Sequence, residues 1–266
     1  MQVVILCGGM GTRIRDVADD IPKPMVPVGG KPILWHIMNG YARQGFKKFV
    51  LCLGYKSWVI KQYFLNYGLA GADLTVGLRP NGPVKVHPTG AADDWQVTLA
   101  ETGAATMTGG RVHRVARYLD GDRFMLTYGD GLADIDLHAL LAFHQQHGRT
   151  GTVTTVRPPG RFGEVEIDGP LVSEFAEKPL LSRGRISGGF FVFERRFLDR
   201  LPDDDGLVLE QEPLIQLARD GELAAYQHDG FWQCMDSSRD HQYLNQLWDA
   251  GGAPWDRTPP PLRIAA

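Results

Sequence analysis

Close to its start the chain carries an apolar run, Val3-Val4-Ile5-Leu6, that ends at Cys7-Gly8-Gly9-Met10-Gly11-Thr12-Arg13, and this junction limits the available folds more than any other stretch. Consecutive apolar residues without polar alternation read as a strand buried on both faces, which is the habit of parallel sheets covered by helices. The glycines let the backbone turn sharply where the strand ends and present bare N–H groups, a cradle suited to phosphate oxygens. Arg13 and Lys23 add positive charge, and Lys23 is pinned between Pro22 and Pro24. Two commoner glycine-rich loops are excluded by spacing: neither G-x-G-x-x-G nor G-x-x-x-x-G-K-[ST] is present here. A tight strand-to-loop turn without a ligand is the alternative for the glycines alone, and the two cations argue against it.

The rest of the chain is consistent with such a sheet. Residues 49–53 form a second continuous apolar run, and between the two runs Ile33, Ile37, Tyr41 and Leu34, Met38 recur at helical spacing up to Gly45, which makes a βαβ unit. A helix over 58–67 and a short strand over 74–78 follow. Residues 79–110 read as a long irregular loop insertion with a possible strand at 98–101, and a helix over 112–118 is opened by Arg111. The apolar run 124–128 ends in Gly129-Asp130-Gly131, where ligands of open α/β sheets bind, and 137–147 is helical. Beyond Gly151 the period switches to two, with strands at 152–156, 165–167, 172–177 and 188–193 forming a small antiparallel lobe. A helix at 212–219, a strand at 223–228 and a helix at 239–250 complete one domain, residues 1–250. The tail 251–266 is Pro-rich, with Pro254 and Pro259-Pro260-Pro261. The expected fold class is α/β: a Rossmann-like, mostly parallel mixed sheet flanked by helices.

Across 266 residues the formal charge of -3 offers no basic surface for nucleic acid. No apolar run has membrane-spanning length and the N-terminus enters a strand directly, so the expectation is a cytoplasmic protein that engages no membrane. Three cysteines, Cys7, Cys52 and Cys234, show no metal-type spacing and suit a reducing compartment. The eight histidines are scattered.

The junction and Lys23-Pro24, taken with Gly29-Gly30-Lys31-Pro32-Ile33-Leu34-Trp35-His36-Ile37-Met38, Tyr128-Gly129-Asp130-Gly131, Pro158-Pro159-Gly160-Arg161-Phe162-Gly163, Glu177-Lys178-Pro179, Gly188-Gly189-Phe190-Phe191-Val192 and Phe231-Trp232-Gln233, resemble the sugar-phosphate nucleotidyltransferases. Within them the pattern is similar to the branch acting on glucose 1-phosphate with CTP, from residue 1 to about Trp255. The resemblance implies the nucleotide-diphospho-sugar transferase fold, a Mg2+ cofactor, CTP and a sugar 1-phosphate as substrates, CDP-glucose and pyrophosphate as products, and a homo-oligomer. Residue by residue it implies catalytic roles for Arg13 and Lys23. It puts the nucleotide at Leu6, Cys7, Gly8, Gly9, Gly11 and Thr12, with Thr106 and Arg111 from Thr106-Met107-Thr108-Gly109-Gly110-Arg111, and the sugar phosphate at Lys178, Glu177 and Gly188. Asp130 and Asp236 would hold the metal. Where the family has Met-Asp-Thr this chain has Met235-Asp236-Ser237, a change in the surroundings of one metal ligand.

That chemistry suits these residue types. A sugar 1-phosphate has a second pKa of about 6 and arrives largely as a dianion, so it needs no general base. The obstacle is repulsion between anions, and catalysis falls to positioning and cations. Three other readings stay open at this point: the same chemistry with dTTP or UTP, another sugar 1-phosphate, or a non-catalytic nucleotide-binding subunit. Arg13, Lys23, Asp130 and Asp236 together argue against the last.

Overall fold

A computed structural model of the chain describes residues 1–9, 20–87, 93–158, 164–168, 170–176 and 184–257. Its centre is a seven-stranded sheet of β1 (Gln2–Leu6), β2 (Lys48–Leu53), β3 (Gln96–Glu101), β4 (Arg123–Tyr128), β5 (Gly151–Val156), β6 (Ile186–Glu194) and β7 (Leu223–Gln227). The spatial order is β7-β5-β6-β4-β1-β2-β3. All neighbours run parallel except β6, which is antiparallel to β4 and β5.

The first strand shows why the apolar run is continuous. Side chains alternate across a strand, and Val3 and Ile5 enter one buried cluster while Val4 and Leu6 enter the other. On the first face the helix Ile33–Arg43 buries Ile33, Leu34, Ile37, Met38 and Tyr41, the periodic positions of the sequence. On the second face the helix Thr108–Val115 buries Val112 and Val115. Each fully buried aliphatic side chain stabilises the fold by about 1.5–3 kcal/mol relative to exposure.

Several elements differ from the sequence reading. Within 79–110 the strand expected at 98–101 is present as Gln96–Glu101 and joins the main sheet beside β2, but the chain before it is not all loop: Val84–His87 pairs antiparallel with Asp73–Val76. The hairpin strands are exposed almost throughout, so no one-sided burial imprints an alternating pattern on them. The expected antiparallel lobe reduces to the hairpin Glu164–Asp168 with Leu171–Ala176, since β5 and β6 belong to the main sheet. The tail is docked as far as it is described. Trp255 is buried, its indole N–H points to His36 Nδ1 at 3.3 Å, and Asp256 pairs with Arg43 at 3.0 Å. No helix among the described residues is long and apolar enough to cross a membrane.

Candidate active site

Because β1 and β4 are parallel neighbours in register, Leu6 beside Tyr128, their carboxyl ends open at one place. The Gly129 N–H donates to the Leu6 carbonyl at 3.1 Å, tying the two exits together. A cleft of roughly 380 Å³ lies there, lined by Leu6, Cys7, Gly8, Gly9, Lys23, Pro24, Thr106, Met107, Thr108, Arg111, Tyr128, Gly129, Asp130 and Asp236. That is ligand-sized. Among the described residues, nothing lies within 4 Å of where a Cβ of Gly9 would stand.

Lys23, Asp130 and Asp236 come from three distant parts of the chain. Lys23 opens a short turn, Lys23–Met25, closed by the Met25 N–H on the Pro22 carbonyl at 2.8 Å. Asp130 follows β4 directly. Asp236 is brought beside it because Trp232–Cys234 pairs antiparallel with Gly131–Ala133 and the Met235 N–H donates to the Asp130 carbonyl at 2.9 Å. Asp236 is then held by the start of the next helix, Ser238–Asp249. Ser237 is its N-cap in a reciprocal capping box with Asp240, and Asp240 also accepts from the Asp236 N–H at 3.1 Å. Ser237-x-x-Asp240 is a legible box that the sequence reading passed over; it fixes the surroundings of Asp236, with the serine hydroxyl turned to the cap.

The Lys23 ammonium lies 2.6 Å from Asp130 Oδ2 and 2.5 Å from Asp236 Oδ1. Burial works against its charge, but attraction and hydrogen bonds from Asp130, then Asp236, outweigh it and raise its pKa above the usual lysine value. Two carboxylates close enough to share one ammonium also fit a magnesium ion, which commonly takes one or two carboxylates and completes its shell with phosphate and water. No cluster of three or more His, Cys, Asp or Glu is found among the described residues, so a metal here would need those outside ligands.

Arg111 is neither solvated nor at the opening of its helix: it lies within Thr108–Val115 and is buried. Nη1 donates to the Leu53 carbonyl at 2.9 Å, Thr102 Oγ1 at 2.8 Å and the Gly103 carbonyl at 2.9 Å. Nη2 donates to the Gly8 carbonyl at 3.0 Å. One guanidinium thus ties the exits of β1, β2 and β3, and burial is what lowers its pKa. The glycines of Thr108-Gly109-Gly110 have a packing role as well. Their N–H groups donate to the Leu207 carbonyl at 2.8 and 3.2 Å, and side chains there would run into Leu207 and Asp204.

Thr106 is buried and takes a hydrogen bond from Arg114 at 2.9 Å. Tyr128, to which the sequence reading gave no role, and Thr108, inside the segment it put at the nucleotide, both line the cleft and both donate to Glu210: Tyr128 to Oε1, and Thr108 to Oε2 at 2.6 Å. Burial first, then Glu210 and Asp130, push the Tyr128 phenol far up, so it stays a donor. Glu210 carries no local signal; it reaches the site only because residues 204–210 fold over the helix start. Gly188 is buried against Val156 and Trp232, whose indole N–H donates to the Gly188 carbonyl at 2.8 Å, and it does not line the cleft. Cys7 lines the cleft, but burial pushes its thiol well up, which removes it as a nucleophile. Gly11, Thr12, Arg13, Glu177 and Lys178 lie outside the described residues.

A family model described as nucleotidyl transferase matches residues 2–234. Proteins of Salmonella typhi and Salmonella typhimurium, both named glucose-1-phosphate cytidylyltransferase, are each 50% identical to this chain over 256 residues, 96% of this chain and 98% of theirs. Among solved structures, HddC from Yersinia pseudotuberculosis shares the fold with a TM-score of 0.64 at 23% identity, covering 93% of this chain and 99% of its own. A sheet that gathers a glycine-ended first strand, a lysine and two aspartates at its carboxyl edge, with these likenesses over nearly the whole length, makes the chain a member of the nucleotidyl transferase family.

Proposed function

We propose that this protein transfers the cytidylyl group of CTP to α-D-glucose 1-phosphate, giving CDP-glucose and pyrophosphate with Mg2+ as cofactor. The observation that carries the reading is the convergence of Asp130 and Asp236 on one cation, in the cleft that Gly8 and Gly9 also line. A phosphate oxygen of the sugar attacks the α-phosphorus, the bond to the bridging oxygen breaks, and pyrophosphate leaves with the electron pair. Lys23, and Arg13 by its place in the motif, offset the charge that develops. Asp130 and Asp236 would hold the metal, which when bound neutralises phosphate charge and favours in-line geometry. Lys178, Glu177 and Gly188 are assigned to the sugar phosphate by motif. The choice of cytosine and glucose rests on the names of the relatives, not on any group facing a base edge.

A pyrophosphate-release assay with glucose 1-phosphate and each of CTP, UTP, dTTP, ATP and GTP tests this. The highest kcat/KM is expected with CTP. A preference for dTTP or UTP would overturn the base while keeping the chemistry, and no release with any of them would favour the regulatory-subunit reading. The proposal includes a cytoplasmic homo-oligomer. In support, Trp58 and Leu65, on the helix Ser57–Leu65, and Leu78, just beyond the strand Asp73–Val76, are large apolar side chains 58%, 66% and 94% exposed. Sedimentation velocity tests the assembly.

A further inference from the structure

The contacts of Lys23 have a consequence for the order in which the site fills. Its ammonium touches one oxygen of each carboxylate, at 2.6 and 2.5 Å, and its side chain is only 13% exposed. Magnesium would bind those oxygens at about 2.0–2.1 Å, so the ammonium and the ion exclude each other from the space between Asp130 and Asp236. Either cation answers the same need, since two facing carboxylates in a half-buried site repel strongly without a positive charge between them. The backbone of Lys23 is fixed by Pro22 and the buried Pro24, while its four-carbon stem is free to pivot. The cleft it lines also holds Gly8 and Gly9, so an alternative anion, a nucleotide phosphate, would arrive within the same cavity.

We propose that Lys23 is a resident cation of the nucleotide-free enzyme, filling the place between Asp130 and Asp236 until an incoming triphosphate draws the ammonium away and admits the divalent ion. The proposal rests on the reading of Asp130 and Asp236 as the metal pair. It makes metal entry conditional on nucleotide and keeps the empty site closed to stray divalent ions. By reciprocity, whatever factor the nucleotide gains for the metal, the metal gains for the nucleotide.

The test is Mn2+ binding without any nucleotide, followed by the loss of the free-ion EPR signal, on the wild type, Lys23→Met, Lys23→Gln and the double variant Asp130→Asn/Asp236→Asn. Both Lys23 variants should bind one Mn2+ tighter than wild type by roughly tenfold or more, the size expected when a competing charge at contact distance is removed. Thermal unfolding supplies a second readout: Lys23→Met should lose stability, and Mn2+ should restore more of it than it adds to wild type. Lys23 variants that bind Mn2+ no tighter than wild type would overturn the exchange. The tighter Mn2+ binding should vanish when Lys23→Met is combined with Asp130→Asn and Asp236→Asn; if the combined variant kept it, the metal pair itself would be overturned, a separate failure.

Discussion

The guanidinium of Arg111 fills the volume that a Cβ on Gly8 would occupy. The two residues are 103 positions apart and joined by the hydrogen bond from Nη2 to the Gly8 carbonyl, so the glycine at the end of β1 is required as much from behind the cradle as from in front. Gly8→Ala is therefore expected to destabilise the protein by about 1–3 kcal/mol through overpacking. Arg111→Ala should cost at least as much, because it empties a buried volume and strips the donor from the Gly103 carbonyl, about 1–3 kcal/mol for that group alone, while the Leu53 and Gly8 carbonyls keep the Thr102 and Tyr55 N–H groups. In the Arg111→Ala background the added methyl has room, so the double variant should lose clearly less than the sum. Urea unfolding of the four proteins measures this; additive losses would show that the collision is not what Gly8 avoids.

Asp130→Asn and Asp236→Asn are each expected to raise the Mg2+ concentration needed for half-maximal turnover, and the double variant to be little worse than either. The activity assay at varied Mg2+ checks it. Independent, multiplying losses would mean that the two carboxylates do not share an ion.

Ser237→Ala removes the capping hydroxyl that Asp240 and the helix start share, at a cost of about 1 kcal/mol. Because Asp240 also holds the Asp236 N–H, the same change should increase the Mg2+ requirement modestly. Ser237→Thr, which restores the family residue and keeps the cap, should leave both unchanged, as read by thermal unfolding and Mg2+ titration.

Stability should fall on the acid side. His36 Nε2 donates to the Val28 carbonyl at 2.8 Å while Nδ1 faces the Trp255 N–H, so both ring nitrogens are satisfied in the neutral form. Burial holds its pKa below the ordinary histidine value of 6.5, and burial lowers His144 in the same way. The unfolded chain then binds more protons than the folded one, so stability is complete above about pH 6.5 and is lost as pH falls from there towards the depressed folded values. Urea unfolding across this range should show the decline, with a shallower slope in His36→Gln. A slope unchanged by that substitution would remove His36 as a contributor.

How much of this was legible depended on how local each cause is. The strand before Gly8, the helix carrying Ile37 and Tyr41, and Asp130 at a strand end follow from burial pattern and turn chemistry within a few residues. Asp236 was legible by motif, yet its proximity to Asp130 depends on the pairing of Trp232–Cys234 with Gly131–Ala133. Arg111 was read as a nucleotide contact at the opening of a helix because its acceptors are mostly main-chain carbonyls at the ends of three strands, and carbonyls leave no mark on residue type. The glycines after Thr108 looked like part of a ligand motif, and the carbonyls of residues 204–207 packed on them are equally invisible in sequence.

The sheet order also bears on how the chain is made. β5 lies between β6 and β7, and both are synthesised after it, so Gly151–Val156 emerges from the ribosome with no strand available on either side. At ordinary elongation rates the 38 residues from Val156 to Glu194 take roughly 2–8 s. For that interval Thr152-Val153-Thr154-Thr155-Val156 is a β-prone segment with both edges open. The first three strands and β4 can already be paired by then, since each has its neighbour among earlier residues. The nascent domain is thus a paired half-sheet, its β4 edge still awaiting β6, trailing one unmatched strand, and the period before β6 is complete is when a chaperone has most to cover.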